Sequence, residues 1–291
     1  MSEVPPQTPA PAQLRLLLLT ALTMVAFAAN SVLNRLALAD GLIGPVEFGA
    51  VRLMSGAAML AALVLLRRQP LQLWRPERLA GVLSLTVYVF GFSLAYVTLD
   101  AGAGALILFG GVQVTMFAGA LSAGERVPGT RWAGAALALS GLGWLLWPGG
   151  EVPANLIWAG MMTAAAIGWG VYSLTGRAAR DPLGATAANF ILAAPVGVAL
   201  VLVLPVPSGA VLHPAGLAYA VVSGALTSGL GYALWYSVLP DLGASRAAVA
   251  QLTVPVIALL GGVVFLNEAL SLRFAVASAL VLGGVAISFR R

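Results

Sequence analysis

Polar and aromatic side chains lie deep inside long apolar stretches of this sequence. Asn30 and Ser31 occur in the first stretch, and Trp169, Tyr172 and Ser173 occur in a later one. An amide or hydroxyl in apolar surroundings costs free energy unless it has a hydrogen-bond partner. These side chains therefore either bond a neighbouring helix or line a cavity that holds a small molecule, and the sequence leaves both interpretations open.

A second group is aromatic. Tyr88, Phe92 and Tyr96 recur at every fourth position, which places their rings along one stripe of a helix. Trp235 and Tyr236 lie at a comparable depth in another apolar stretch. The commoner explanation of such a stripe is a packed core, and the functional one is a stacking surface for aromatic or cationic organic solutes.

Two glutamines, one proline and two glycines complete the candidate set. Gln113 and Gln251 lie inside apolar stretches, where a primary amide needs a partner or a water-filled cavity, and we favour the cavity. Pro255 lacks a backbone donor, and Gly110 and Gly111 weaken a matching stretch. We predict hinges at these positions, although glycine and proline are also tolerated in membrane helices without bending them.

Arg52 is the one charged residue that we place well inside an apolar stretch. An arginine at that depth costs at least ~2.5 kcal/mol and needs protein or water around it. It could contact the carboxylate of a small molecule. Glu47, which precedes it by about one and a half helical turns, offers a structural ion pair instead, and the sequence favours that explanation.

The elements that position these residues are membrane helices. Hydrophobic residues make up 60% of the 291, charged residues only 9%, and the mean hydropathy is +0.97. A soluble protein of this size needs far more charge to cover its surface. The apolar runs are long enough to cross a hydrocarbon core of ~30 Å. We predict an all-α integral membrane protein with ten transmembrane helices, at 14–38, 45–66, 78–99, 102–123, 131–147, 156–175, 183–204, 216–239, 243–266 and 272–289.

The arginines orient these spans. If the N-terminus is cytoplasmic, 12 of the 15 arginines lie in cytoplasmic segments and two in external segments. That bias predicts cytoplasmic N- and C-termini. The first run is expected to stay in the protein, since no cleavage site bounds it.

The two halves of the chain resemble each other. Glu268 matches Glu125, and Gly284 matches Gly141 at the same sequence offset. Five spans in each half is an odd number, so the second half enters the membrane from the opposite side. We predict a disordered tail at 1–13 and two inverted five-helix repeats, at 14–148 and 154–291, with a substrate site near their interface.

The matching extends to the candidate site residues at slightly different offsets. Gly91 and Phe92 match Gly231 and Tyr232. Asn30 matches Tyr172, and Arg52 matches Asn189. Small insertions explain the drift of the offset along the chain.

One hairpin carries a family resemblance. A Gly-Ala-Ser-Arg-Ala-Ala sequence begins at Gly243, Pro255 precedes the polar break at Glu268, and a glycine-rich helix follows. With ten spans in a five-plus-five repeat, the chain resembles the EamA-type branch of the drug/metabolite transporter superfamily. The first half departs from the pattern, with Val112 and Gln113 where a proline would be expected.

The resemblance covers nearly the whole chain and implies a multi-pass transporter in the bacterial inner (plasma) membrane. The aromatic content is similar to that of the aromatic amino acid exporters of this family, which implies export of aromatic and other neutral amino acids by alternating access. A passive channel and an exporter of other metabolites or cationic drugs are the alternatives.

Other functional classes lack residues to support them. The sequence has no cysteine, one histidine (His213), no Walker loop and no HExxH helix. We expect no enzyme activity, no catalytic residues, no metal and no cofactor. The arginines lie between apolar runs rather than in an aromatic-interleaved stripe, which argues against nucleic-acid binding. The expected partners are the lipid bilayer and a small-molecule substrate, with the chain acting as a monomer.

Overall fold

The computed structural model describes residues 10–71, 73–76, 78–122, 128–147, 156–177, 179–204, 212–251 and 253–288. Helices are the only regular elements in these residues, which confirms the predicted all-α class. They are α1 (Ala10–Leu38), α2 (Pro45–Leu66), α3 (Arg78–Ala95), α4 (Ala101–Ser122), α5 (Gly129–Leu146), α6 (Leu156–Arg177), α7 (Pro182–Val203), α8 (Pro214–Val222), a π-helical segment (Ser223–Leu230), α9 (Gly231–Gln251), α10 (Thr253–Leu266) and α11 (Leu272–Ser288).

Seven helical runs among the described residues are long and apolar enough to cross a membrane, and α8, the π-helical segment and most of α9 together form one of them. Shorter apolar helices lie in α5, α10 and α11. Large apolar side chains such as Leu18, Leu66, Leu202 and Val264 point outward, where lipid would cover them. The chain is a multi-pass membrane protein.

Several helices begin at proline or N-capping residues. Pro45 opens α2 and Pro182 opens α7, positions at which a missing backbone donor has no cost. The Asp181 side chain caps α7 by accepting the Gly184 N–H at 3.1 Å. His213, the single histidine, caps α8 through Nδ1.

The structure differs from the predicted spans near Pro240. We expected a break at Pro240-Asp241, but both residues lie inside α9, and the helical run continues from 214 to 251. Both are exposed, and the backbone carbonyl that loses its partner at a proline can be satisfied by other groups. Leu252 lies outside the described residues, and α10, described from Thr253 to Leu266, contains Pro255.

Glycines let α3 and α6 pack backbone against backbone. A Cβ atom on Gly168 of α6 would lie 2.7 Å from the Ser84 carbonyl oxygen and 2.8 Å from the Tyr88 nitrogen of α3. Gly91 of α3 approaches the Met161 carbonyl in the same way. Small residues at such contacts are typical of membrane helices. Extensive contacts also join α1 to the 214–251 run, α2 to α7, and α5 to α11.

The contact between α5 and α11 is reciprocal. Gly141 of α5 lies against the Ala277 carbonyl of α11, and Gly284 of α11 lies against the Gly134 carbonyl of α5. The sequence offset that relates Glu125 to Glu268 also relates Gly141 to Gly284 and Gly134 to Ala277. The same contact made in both directions is the pattern that a two-fold axis between the helices produces.

Gly168→Ala should separate α3 from α6, because its methyl group would meet backbone atoms that cannot move aside. We expect a loss of about 1–3 kcal/mol, as for other overpacked sites, measured as a lower thermal midpoint in detergent. Gly160→Ala is the matched control on the same helix, since nothing lies within 4 Å of a Cβ there. Equal midpoints for the two variants would contradict this packing.

Candidate functional site

Arg52 lies at the centre of the helix bundle and is fully buried on α2. Its Nε donates to the Ser228 hydroxyl at 3.0 Å, and one Nη donates to the Tyr88 hydroxyl at 2.9 Å. The guanidinium carbon is 5.1 Å from the ring centroid of Tyr88 and 5.2 Å from that of Phe92. Both rings are within cation–π range. The charge is thus held by hydroxyl oxygens and aromatic faces.

The ion pair that the sequence favours for Arg52 is absent. No carboxylate of the described residues lies within 4.0 Å of its nitrogens, and the second Nη has no hydrogen-bond partner. The Glu47 carboxylate instead folds back toward Gly44 at the start of α2. A helix N-terminus favours a negative charge, which explains this position.

Aromatic rings from four helical runs meet at Trp169 of α6. Its ring centroid is 4.9 Å from those of Tyr88 and Tyr232, and 6.1 Å from that of Phe27. Tyr172, one turn further along α6, stacks on it at 5.7 Å. The rings come together because α3 packs along α6 while α1 packs along the 214–251 run.

The rings enclose a small cavity of about 10 Å³, room for roughly one water molecule. Four predicted site residues line it: Asn30, Tyr88, Phe92 and Trp169. The remaining lining residues are Phe27, Tyr232, Leu108 and Phe109. Tyr232 lies in the same aromatic stretch as the predicted Trp235 and Tyr236, and Phe27 could have been found because it matches Trp169 in the other half.

Asn30 ties the cavity to the π-helical segment. Its side-chain oxygen accepts the Ser223 hydroxyl at 2.8 Å and also the Thr227 hydroxyl. Gly224 in the same segment packs against the backbone carbonyl of Arg52. π-Helical turns are often found at functional sites. Asn30 therefore serves both interpretations that the sequence left open, since it joins two helices and lines the cavity.

Three other predicted aromatic residues lie around the cavity rather than in its wall. Trp235 packs behind Phe27, with ring centroids 5.8 Å apart. The Tyr236 hydroxyl lies beside Gly176, toward one end of the bundle. Tyr96 follows α3 toward the other end.

The predicted glutamines and hinges are spread more widely. Gln113 is half-buried within α4, and Gln251 is the last residue of α9. The helix α4 passes through Gly110 and Gly111 without a break. Pro255 lies in α10, two residues after Thr253.

A wide cavity of about 980 Å³ opens at the end of the bundle where α3 and α7 begin. We call it the vestibule. Asn189, buried at 7% exposure, forms part of its wall, and its side-chain oxygen has no hydrogen-bond partner. Three arginines also line the vestibule: Arg75, Arg78 and Arg180. These arginines were not selected from the sequence, although their clustering between apolar runs was visible there.

At the opposite end of the bundle, where α3 finishes and α4 begins, Glu268 connects separate segments of the chain. The Ala101 N–H that opens α4 donates to both Glu268 oxygens, at 2.8 and 3.0 Å. Arg35 of α1 lies 3.8 Å from the same carboxylate and donates to the carbonyls of Tyr96 and Val97. We call Arg35, Ala101 and Glu268 the latch. It joins the turn after α10 to α1 and α4.

The Glu268 carboxylate lies outside the helices and is 7% exposed. Burial raises its pKa, while the Ala101 N–H and Arg35 act in the opposite direction. The Asp100 carboxylate, which lies 3.8 Å from Arg35 and is 55% exposed, also raises the pKa of Glu268. Glu125, the sequence match of Glu268, lies outside the described residues.

Comparison with known proteins identifies the family. The model of the EamA-like transporter family matches residues 156–290. An uncharacterised protein of Pseudomonas aeruginosa is 50% identical over 277 residues, 94% of each chain. The chain belongs to the EamA-like transporter family. The resemblance inferred from the hairpin around Pro255 and Glu268 is confirmed at this level.

A more distant relative and a solved structure are also similar to this chain over most of its length. An uncharacterised transporter of Archaeoglobus fulgidus is 24% identical over 254 residues, covering 86% of this chain and 90% of that protein. The crystal structure of another protein superposes with a TM-score of 0.65 at 26% identity, covering 92% of this chain and 97% of that one. Family membership indicates a membrane transporter of small substrates rather than an enzyme.

Tyr88→Phe should destabilise the protein, because it removes the oxygen that accepts from buried Arg52. A hydrogen bond to a charged group is worth about 1.5–3 kcal/mol, and we expect a loss of that size in thermal unfolding. Tyr172→Phe is the control, since that buried hydroxyl has only the neutral Thr186 and Asn189 side chains near it and bonds no charged group. A larger loss for Tyr172→Phe would contradict the role given to Tyr88.

Proposed function

We propose that this protein is an alternating-access carrier that exports small organic molecules, aromatic and other neutral amino acids among them, from the bacterial cytoplasm. One observation supports this most directly. A closed aromatic site lies between an open vestibule at one end of the bundle and a latch at the other. A carrier stopped in one of its two arrangements has this asymmetry.

The proposed architecture is ten spans in two inverted repeats. In this arrangement α1 to α5 form one repeat, and α6, α7, the 214–251 run, α10 and α11 form the other. The reciprocal contact of Gly141 and Gly284 supports a two-fold relation. So does the packing of α3 along α6 and of α1 along the 214–251 run, since these pairs exchange when the halves exchange.

The proposed orientation places both termini and the vestibule on the cytoplasmic side of the inner membrane. Arginine-rich segments favour the cytoplasm, and the vestibule is formed by two of them, the connections after α2 and α6. The latch then faces outward. The structure would accordingly be an inward-facing state with its external side closed.

Alternating access also requires hinges in the helices. Switching requires elements with two arrangements, and Pro255 in α10 and the pair Gly110 and Gly111 in α4 are our candidate hinges. In this proposal the other predicted site residues contact the substrate as the site widens or as the substrate passes along the pathway: Tyr96, Gln113, Tyr172, Trp235, Tyr236 and Gln251.

The two alternatives fit less well. A passive channel needs a continuous path, whereas the centre here has room for roughly one water molecule. A cationic drug would meet the positive charge of Arg52 with no carboxylate of the described residues beside it.

Counterflow in proteoliposomes tests the function. Vesicles loaded with unlabelled phenylalanine should take up external radiolabelled phenylalanine faster than empty vesicles, because a loaded carrier returns faster. A panel of other neutral amino acids gives the substrate range. Uptake unaffected by trapped substrate would indicate a channel and contradict the proposal.

The latch can be tested separately, because the chain has no cysteine and one can be introduced as a reporter. Ser31→Cys places a thiol beside Asn30 on the side toward Arg35, where Ser31 is buried. Glu268→Gln should weaken the closed external side by about 1–2 kcal/mol, through loss of the charge at the start of α4 and beside Arg35. Labelling by an impermeant maleimide from outside should then accelerate.

Asp100→Asn is the matched control, since this carboxylate is 55% exposed and its contact with the latch is the 3.8 Å ion pair with Arg35. It should leave the labelling rate nearly unchanged. If Glu268→Gln slows labelling, or if Asp100→Asn accelerates it equally, Glu268 does not hold the external side shut.

A further inference from the structure

We propose that the central site binds small organic carboxylates with an apolar or aromatic body, that Arg52 receives the carboxylate, and that an ammonium group on the same molecule weakens binding. This inference rests on the proposed transport function and narrows its substrate class. Four features of the molecule support it.

The first feature is charge. Arg52 is fully buried, and no carboxylate of the described residues lies within 4.0 Å of it. One of its Nη atoms makes no hydrogen bond within 3.5 Å, and the neutral Tyr232 hydroxyl is a further neighbour of the guanidinium. A buried charge is normally paired, because its desolvation is costly. A planar guanidinium with a free donor matches a carboxylate oxygen.

The second feature is position. Tyr88 and Ser228, the two hydrogen-bond partners of Arg52, correspond to each other at the same sequence offset that relates Gly91 to Gly231. Arg52 thus bonds equivalent positions of the two halves, which places it at their interface, where a carrier's substrate site is expected. Tyr88 and Phe92, whose rings lie against the guanidinium, also line the cavity.

The third feature is the lack of a partner for an ammonium group. None of the described residues that line the cavity carries a carboxylate. Their amide oxygen, on Asn30, already accepts two hydroxyl donors from the π-helical segment. An amino group of a substrate would lose its hydration here beside an unneutralised cation. A net-negative ligand avoids this cost.

The fourth feature is the route of entry. The vestibule wall carries Arg75, Arg78 and Arg180 against one acid, Asp181, whose carboxylate caps α7. The Arg78 Nε is buried without a partner. A cavity lined by one sign of charge raises the local concentration of the opposite ion. The vestibule therefore favours anions before they reach the central site.

Three ligands with the same phenyl body and different charge test the proposal: phenylpropionate, phenylalanine and phenethylamine. Their dissociation constants are measured with the full-length wild-type protein in detergent by isothermal titration. We expect phenylpropionate to bind most tightly and phenethylamine most weakly. Tighter binding of phenylalanine or phenethylamine, or no binding of phenylpropionate, would overturn the proposal.

Arg52→Gln should weaken phenylpropionate binding roughly 10- to 100-fold, the effect of losing a hydrogen bond to a charged group, and should leave phenethylamine binding unchanged or improved. Arg67→Gln removes the same charge from the exposed end of α2 and should change neither. An equal effect of Arg52→Gln on both ligands would refute the carboxylate contact. If Arg52→Gln does not fold, Arg52→Lys and the wild-type ligand order decide the question.

These outcomes are separable from those of the transport assay. Phenylalanine counterflow that is insensitive to Arg52→Gln would leave a carrier but overturn the carboxylate contact. Counterflow of phenylpropionate without that of phenylalanine would support the carboxylate class and remove amino acids from the substrate range. Tight phenylpropionate binding without counterflow of any ligand would support the site but not the carrier.

Discussion

The structure depends on holding one buried positive charge without a carboxylate beside it among the described residues. Arg52 is tolerated at the bundle centre because hydroxyls from two different helical runs and two aromatic faces surround it. Tyr88 is on α3, which packs closely on α6 at Gly168, and Ser228 is in the π-helical segment, which packs closely on α2 at Gly224. The close packing of these helices and the stabilisation of the buried Arg52 charge therefore depend on each other.

Much of this could be predicted from the sequence, because the membrane restricts what a chain can do. Apolar runs, arginine-rich connections and a weak repeat predict helices and their order before any packing is known. The depth of Asn30, Tyr88, Phe92 and Trp169 within those runs was enough to select them, and all four line the cavity. The hairpin around Glu268 indicated the family, which the comparisons confirm.

What could not be predicted depends on helix rotation and on contacts between distant segments. Spacing along α2 made Glu47 a plausible partner for Arg52, but the start of the helix holds that carboxylate instead. The contact of Glu268 with Ala101 joins residues 167 positions apart, and no local pattern marks it. Pro240 gave a clear signal for a break, yet the helix continues through it at an exposed position where the lost bond costs little.

Alternating access requires the two ends of the bundle to move in opposite senses. Distances between pairs of spin labels test this most directly, because the cysteine-free chain can be labelled only at introduced cysteines. Gln69→Cys with Ala179→Cys would span the vestibule, and Asp40→Cys with Leu270→Cys would span the latch end. Saturating phenylpropionate should populate a second state in which the vestibule distance shortens and the latch distance lengthens. Simultaneous lengthening of both distances, or movement at one end alone, would contradict alternating access.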